Sequence, residues 1–264
     1  MSFKPIIFGA GLVAWRNLQR TLPQQMTAFS KSSEQNRLVN GFQQKAPSLK
    51  SADAVVSDRQ VLRVALGAYG LQDDLENRFF VKRVLDEGSN NPSALSNRLS
   101  DSRYQRLATD FALDGIGRIT GVLPSAVKNI SKEYLKQAFA ITVGEEQPNL
   151  RLALNAENEF ERVAALDVSD DAKWFLLMGN PPLRTVAETA LGLPTSFGQL
   201  DIDKQLEVFR DKTGSVFGVK EVDELASKDK RGAVVDLFLL RDQLKQGQNL
   251  TSQSIALQLL SIGN

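Results

Sequence analysis

The chain has 264 residues, 42% of them hydrophobic and 24% charged, a composition that supports one large globular domain or two small ones. Lysine and arginine number 32 and the acidic residues 31, for a net charge of +1, and there is neither a cysteine nor a histidine. That double absence removes disulfides, thiolate and imidazole metal ligands, cysteine nucleophiles and any Ser-His-Asp triad; no cofactor and no metal site is expected.

The first apolar run, Pro5 to Trp15, falls short of the roughly 20 residues a transmembrane helix needs, so no membrane span is expected. Lys4 ahead of that run resembles the start of a secretory signal, but Arg16 and Arg20 follow at once and no small-x-small cleavage site is present. Residues 1–50 carry Lys4, Arg16, Arg20, Lys31, Arg37, Lys45 and Lys50 against Glu34 alone, a net +6 that leaves −5 for the rest. The segment reads as a basic N-terminal helical arm on a mildly acidic body. It also holds Ile6, Ile7, Phe8, Trp15 and Leu18, too many apolar residues for a solvated tail. Trp15 and Leu18 are expected to pack on the body or on a neighbouring chain, with Arg16 and Arg20 facing acidic groups. These four are the candidate partner-binding residues, on an arm that deletion of residues 1–25 would remove without unfolding the body.

Beyond the arm nearly every apolar pattern has the helical period. Val61, Leu62, Ala65, Leu66 and Tyr69 make one stripe; Leu75, Phe79, Val84 and Leu85 the next; Leu95, Leu99, Tyr104, Leu107, Ala108 and Phe111 another. Val127, Ile130, Tyr134, Ala138 and Ile141 run for about four turns, and Leu150, Ala153, Leu154, Phe160, Val163 and Ala164 follow. A helix over Asp170–Met178 should stop at Gly179, and Pro182 suits the first turn of the helix after it. Later stripes are Ile202, Leu206 and Phe209; Val234, Leu237 and Phe238; Ile255, Leu259 and Ile262. Only Ala140–Val143 is ambiguous between helix and strand. The expected fold is all-α, a multi-helix array of about ten to thirteen helices without significant sheet.

Asp114–Pro124 and Glu145–Pro148 read as loops, the first the better boundary. The organisation expected is the arm, a helical unit over residues 51–147 and a second over 148–264. Val61, Ala65, Leu66, Gly67, Leu75 and Asp86 recur 125 residues later, and a one-residue gap extends the match to Gly88, Leu99, Asp110 and Leu113. Ten identities in a chosen register fit either a duplication, with helices ending alike at Gly67 and Gly192, or two unrelated helical stretches.

Several motifs imitate chemistry. Gly9-x-Gly11-x-x-Ala14 copies a dinucleotide fingerprint, without the strand before it or the acidic residue on a second strand that the motif requires. Ser125-x-x-Lys128, Lys212-Thr213-Gly214 and Ser100-Asp101-Ser102 imitate the serine β-lactamase motifs in the wrong order and with no sheet to carry them. The acidic groups Asp73-Asp74, Glu145-Glu146, Glu157-x-Glu159-x-Glu161, Asp170-Asp171 and Asp201-x-Asp203 mostly sit where helices begin and compensate their dipoles. The densest basic cluster, Lys228, Lys230 and Arg231, has no interleaved aromatics, so nucleic acid is not expected as a partner. Trp174 and Met178 share a helix side that is either core or a partner-binding edge.

Ser57–Leu71, Leu99–Tyr104, Arg151–Asn155, Lys173–Arg184, Ala190–Pro194 and Leu200–Leu206 together resemble a bacterial, flagellum-associated family, domain of unknown function twelve-seventeen. The likeness covers nearly the whole chain in order. It implies a flagellar process and carries over no activity and no catalytic residue. The function expected is a non-catalytic helical protein that binds a protein partner, a flagellar component, in flagellar assembly or regulation, in the cytoplasm. The alternatives are a hydrolase-type enzyme using carboxylate, serine or lysine groups, and an axial component exported by the flagellar secretion route.

Overall fold

The computed structural model describes residues 3–113 and 122–262, with side chains through residue 247. Thirteen α-helices and four short 3-10 helices make up these residues, and no strand occurs among them. The ambiguous Ala140–Val143 is helical. Most of Asp114–Pro124 lies outside the described residues, as do the side chains of Ile255, Leu259 and Ile262.

The chain divides into two compact units, one of residues 1–6 and 19–146, the other of 7–18 and 147–264. The expected arm is therefore apportioned: α1 (Gly11–Ser30) gives its first eight residues to the second unit and the rest to the first, where α2 (Ser33–Lys45) also lies.

The first unit continues with α3 (Ala52–Ser57), α4 (Arg59–Ala68), α5 (Arg78–Glu87), α6 (Leu95–Arg98), α7 (Ser102–Phe111) and α8 (Pro124–Glu146). Starts are set by short polar side chains that accept from orphan backbone N–H groups. The Ser51 hydroxyl accepts from Ala54, the Asp58 carboxylate from Gln60 and Val61, and Asp101 from Arg103. α4 packs on α8 and α2. Gly67 permits that approach, because a Cβ there would sit 2.9 Å from the Tyr134 ring. Phe42, Leu62, Leu66, Leu107, Phe111 and Ile130 are buried to 2% exposure or less, each contributing about 1.5–3 kcal/mol of burial.

The second unit holds α9 (Pro148–Ala164), α10 (Asp170–Met178), α11 (Pro181–Leu191), α12 (Ile202–Phe217) and α13 (Lys228–Ile262). Ser169 caps α10 and the Asn180 side chain caps α11, whose first position is Pro181. α9, α11 and α13 pack on one another around Leu150, Leu183, Val186, Phe238 and Leu239. Trp174 and Met178 belong to this core, and the Trp174 indole N–H donates to Asp170.

The two Ala-Leu-Gly segments end differently, against the expectation of equivalent ends. α4 runs on through Gly67 to Ala68, and the left-handed residue after it is Gly70, at φ +70°. α11 stops at Leu191, with Gly192 itself left-handed at φ +67°. A Cβ at Gly192 would meet the Arg241 guanidinium, which bonds the Ala190 carbonyl, whereas Gly67 faces a ring. α10 spans Asp170–Met178 and stops at Gly179 as expected, with that glycine at φ −81°.

Candidate functional site

The four residues singled out in the sequence do not converge. Trp15 and Leu18, three apart and so on one face of α1, are 2% and 0% exposed within the second unit, beside the equally buried Ala14. Arg16 stands on another face and pairs with Asp236 of α13. Arg20 is exposed and lies in the first unit. A segment with three buried residues in its first two turns is core, and it cannot be deleted without cost as a peripheral arm could.

The imitative motifs also resolve into structure. Gly9 and Gly11 take φ +86° and +53° ahead of and at the start of α1, with no strand before them among the described residues. Ser125 and Lys128 lie in the first turns of α8, and Asp101 is the cap of α7. Thr213 is buried inside α12 and donates to the Phe209 carbonyl. Lys230 donates to the carbonyls of Phe217 and Gly218 and Arg231 to that of Ala226, so this basic pair closes helix ends. Two perturbed phenols are closed pairs too. Burial, then Asp110, pushes the Tyr69 hydroxyl well up, and it donates to Asp110; burial and the hydrogen bond to Asp74 do the same for Tyr104. Among the described residues no group of three or more acidic side chains gathers as a metal site.

Two concave features of the first unit are more open. The larger is a cleft of about 660 Å³. One wall is the segment Phe3–Pro5, held because the Gln25 amide, 6% exposed, bonds both the N–H and the carbonyl of Ile6. Phe3 thereby packs edge-on against Phe29 of α1, at 5.3 Å between centroids, and near Phe139 of α8. Gln35 of α2, Gln72 of the 3-10 turn Gln72–Asp74, and Tyr134 of α8 also line it. Burial raises the Tyr134 hydroxyl, Arg63 opposes the shift and Glu34 adds to it. Arg63 and Glu34 are an ion pair at 3.1 Å.

The second feature is a groove of about 310 Å³ where α8 meets α1 and α2. Met26, Val39 and the half-buried Leu135 give it an apolar lining. Lys128, Lys132 and Lys136 stand along it at successive i, i+4 positions, a row of three cations over about 12 Å of helix. Lys136 is 3.0 Å from Glu133, while Lys128 and Lys132 make no ion pair among the described residues. In the sequence that row is plain i, i+4 spacing, with the three lysines separated by other residues and forming no dense basic cluster. The cleft left no such signal: Gln35 and Gln72 are ordinary polar-face residues until the fold brings them together.

Residues 68–230 match a family described as protein of unknown function, DUF1217. A crystal structure of a protein from Agrobacterium tumefaciens is similar at TM-score 0.72 and 22% identity, over 92% of this chain and 97% of that one. At that identity the likeness shows the fold. No curated protein matches the chain.

Proposed function

We infer that this chain, which belongs to the DUF1217 family of proteins of unknown function, is a non-catalytic adaptor whose first unit grips an acidic helix of a protein partner. The observation that carries this reading is the groove between α8, α1 and α2. An amphipathic helix with Asp or Glu at i, i+4 and i+8 repeats at the same spacing as Lys128, Lys132 and Lys136, and its apolar side would cover Met26, Val39 and Leu135. The charges would steer encounter and fix register, and the apolar contact would supply most of the affinity. The flagellar setting, in assembly or regulation, rests on the sequence resemblance, and with it a cytoplasmic location.

The test is affinity capture from flagellated cells with the wild-type chain and with Lys128→Glu/Lys132→Glu, both confirmed folded by circular dichroism. The expected result is one captured flagellar component, carrying an acidic amphipathic helix, that the charge-reversed chain no longer retains. Capture of the same proteins by both chains would reject the groove. Recovery of the chain in the secreted flagellar fraction would reject the cytoplasmic adaptor in favour of an exported component.

A further inference from the structure

We propose that the cleft of the first unit, apart from the lysine groove, is a binding site for a small organic cation: an alkylammonium on an apolar stem. Three independent features meet there. The first is its shape, since about 660 Å³ walled in part by Phe3, Phe29, Leu75 and Ile141 is the size and character of a small-molecule pocket.

The second is a pair of buried amide oxygens. Gln35 is 8% exposed, and its Oε1 has no hydrogen-bond partner; the Oε1 of Gln72 is likewise buried and without one. An unsatisfied buried acceptor costs about 1–3 kcal/mol, and two in one cleft is a concentration that folding alone does not favour. A ligand rich in N–H donors removes that cost, and the soft terminal torsion of glutamine lets each amide turn toward it.

The third is the C-terminus of α8. A helix ends with the negative pole of its dipole, where lysine or arginine is favourable. α8 has no basic residue in its last turn and ends instead on Glu145 and Glu146, both lining the cleft and neither in an ion pair among the described residues. Two carboxylates at the negative end of a 23-residue helix violate the local rule, and such violations concentrate where a ligand supplies the missing charge. The other charges on the lining are Lys4, exposed, and the paired Arg63 and Glu34. With that pair neutral, one lysine against two carboxylates leaves the lining a net charge of −1. The ammonium would sit at Glu145 and Glu146, in the cleft that Gln35 and Gln72 also line, and the stem along Phe3 and Phe29.

Isothermal titration of the full chain with hexylammonium, hexanol and hexanoate isolates the head group, because all three share the stem. Hexylammonium should bind at least tenfold more tightly than hexanol, and hexanoate not at all. Glu145→Gln/Glu146→Gln should abolish the advantage of the amine over the alcohol without altering the thermal midpoint by more than a few degrees. Gln35→Leu should weaken the amine at least tenfold while leaving the protein as stable or more so, an outcome that a purely structural glutamine would not give. Equal binding of amine and alcohol, preference for hexanoate, an amine advantage that survives Glu145→Gln/Glu146→Gln, or no binding of any probe would each overturn the assignment.

Discussion

Replacing Trp15 by alanine separates two roles for the N-terminal segment, because a surface anchor and a core residue differ by several kcal/mol when truncated. Trp15 is 2% exposed, between Ala14 and Leu18 at 0%, so the substitution empties a large buried volume. Truncations of this type cost about 3–5 kcal/mol, which in a chain of this length lowers the melting midpoint by roughly 6–20 °C at about 2–4 °C per kcal/mol. The assay has a built-in reporter. The chain has two tryptophans, Trp15 and Trp174, and both belong to the second unit. In Trp15→Ala, fluorescence therefore follows the second unit through Trp174 alone, while far-UV circular dichroism follows both units. The fluorescence midpoint should fall by the full amount. A fall corresponding to less than about 1 kcal/mol would refute the reasoning, and would return Trp15 to the surface as a partner anchor.

Other consequences follow from single contacts. Lys173 is 4% exposed and bonds Asp223 and the Ala164 carbonyl, whereas the Asp223 side chain is 62% exposed. Asp223→Ala should thus destabilise more than Lys173→Met in urea unfolding, by about 1–2 kcal/mol, since only the first strands a buried charge. Gly67→Ala should destabilise by about 1–3 kcal/mol in spite of alanine's better helix propensity, because the new Cβ would lie 2.9 Å from the buried Tyr134 ring; thermal melts comparing it with Gly247→Ala, where nothing lies within 4 Å, check this. For Asp58, burial raises the carboxyl, and the bonds from Lys45, Val61 and Gln60 outweigh it, so its pKa in the folded chain lies below the ordinary value. Its contribution is therefore present above about pH 4 and lost as pH falls through the depressed folded pKa. Asp58→Ala should cost about 1 kcal/mol at pH 7, and the gap to wild type in denaturant titrations should close toward pH 2.

The helical class was legible because its signal is local. Stripes such as Val61, Leu62, Ala65 and Leu66 recur with the helical period, whereas the caps Asp58, Asp101, Ser169 and Asn180 emerge only with the structure. The long-range features were not legible. Trp15 and Leu18 show an apolar face of α1, but the sequence leaves open whether the body or a neighbouring chain covers it, and the structure buries both residues within this chain. Gly67 and Gly192 sit in identical tripeptides, yet Tyr134 sets the demand on one and a left-handed helix end the demand on the other. The cleft depends on Gln25 holding Ile6 from 19 residues away, and on α2 and the Gln72–Asp74 turn bringing Gln35 and Gln72 to one lining. No one-dimensional pattern records either.

The most direct test of the groove is a charge swap in a purified system. A labelled peptide with Glu at i, i+4 and i+8 and leucines on the opposite face is titrated with wild-type chain and with Lys128→Glu/Lys132→Glu by fluorescence anisotropy, alongside the same peptide carrying Lys in place of Glu. The acidic peptide should bind the wild type, weaken at least tenfold on the charge-reversed chain, and weaken with added salt, while the basic peptide should bind the charge-reversed chain in its place. Equal binding of both peptides to the wild type, or acidic-peptide binding that survives the reversal, would contradict an acidic helix in the α1, α2 and α8 groove.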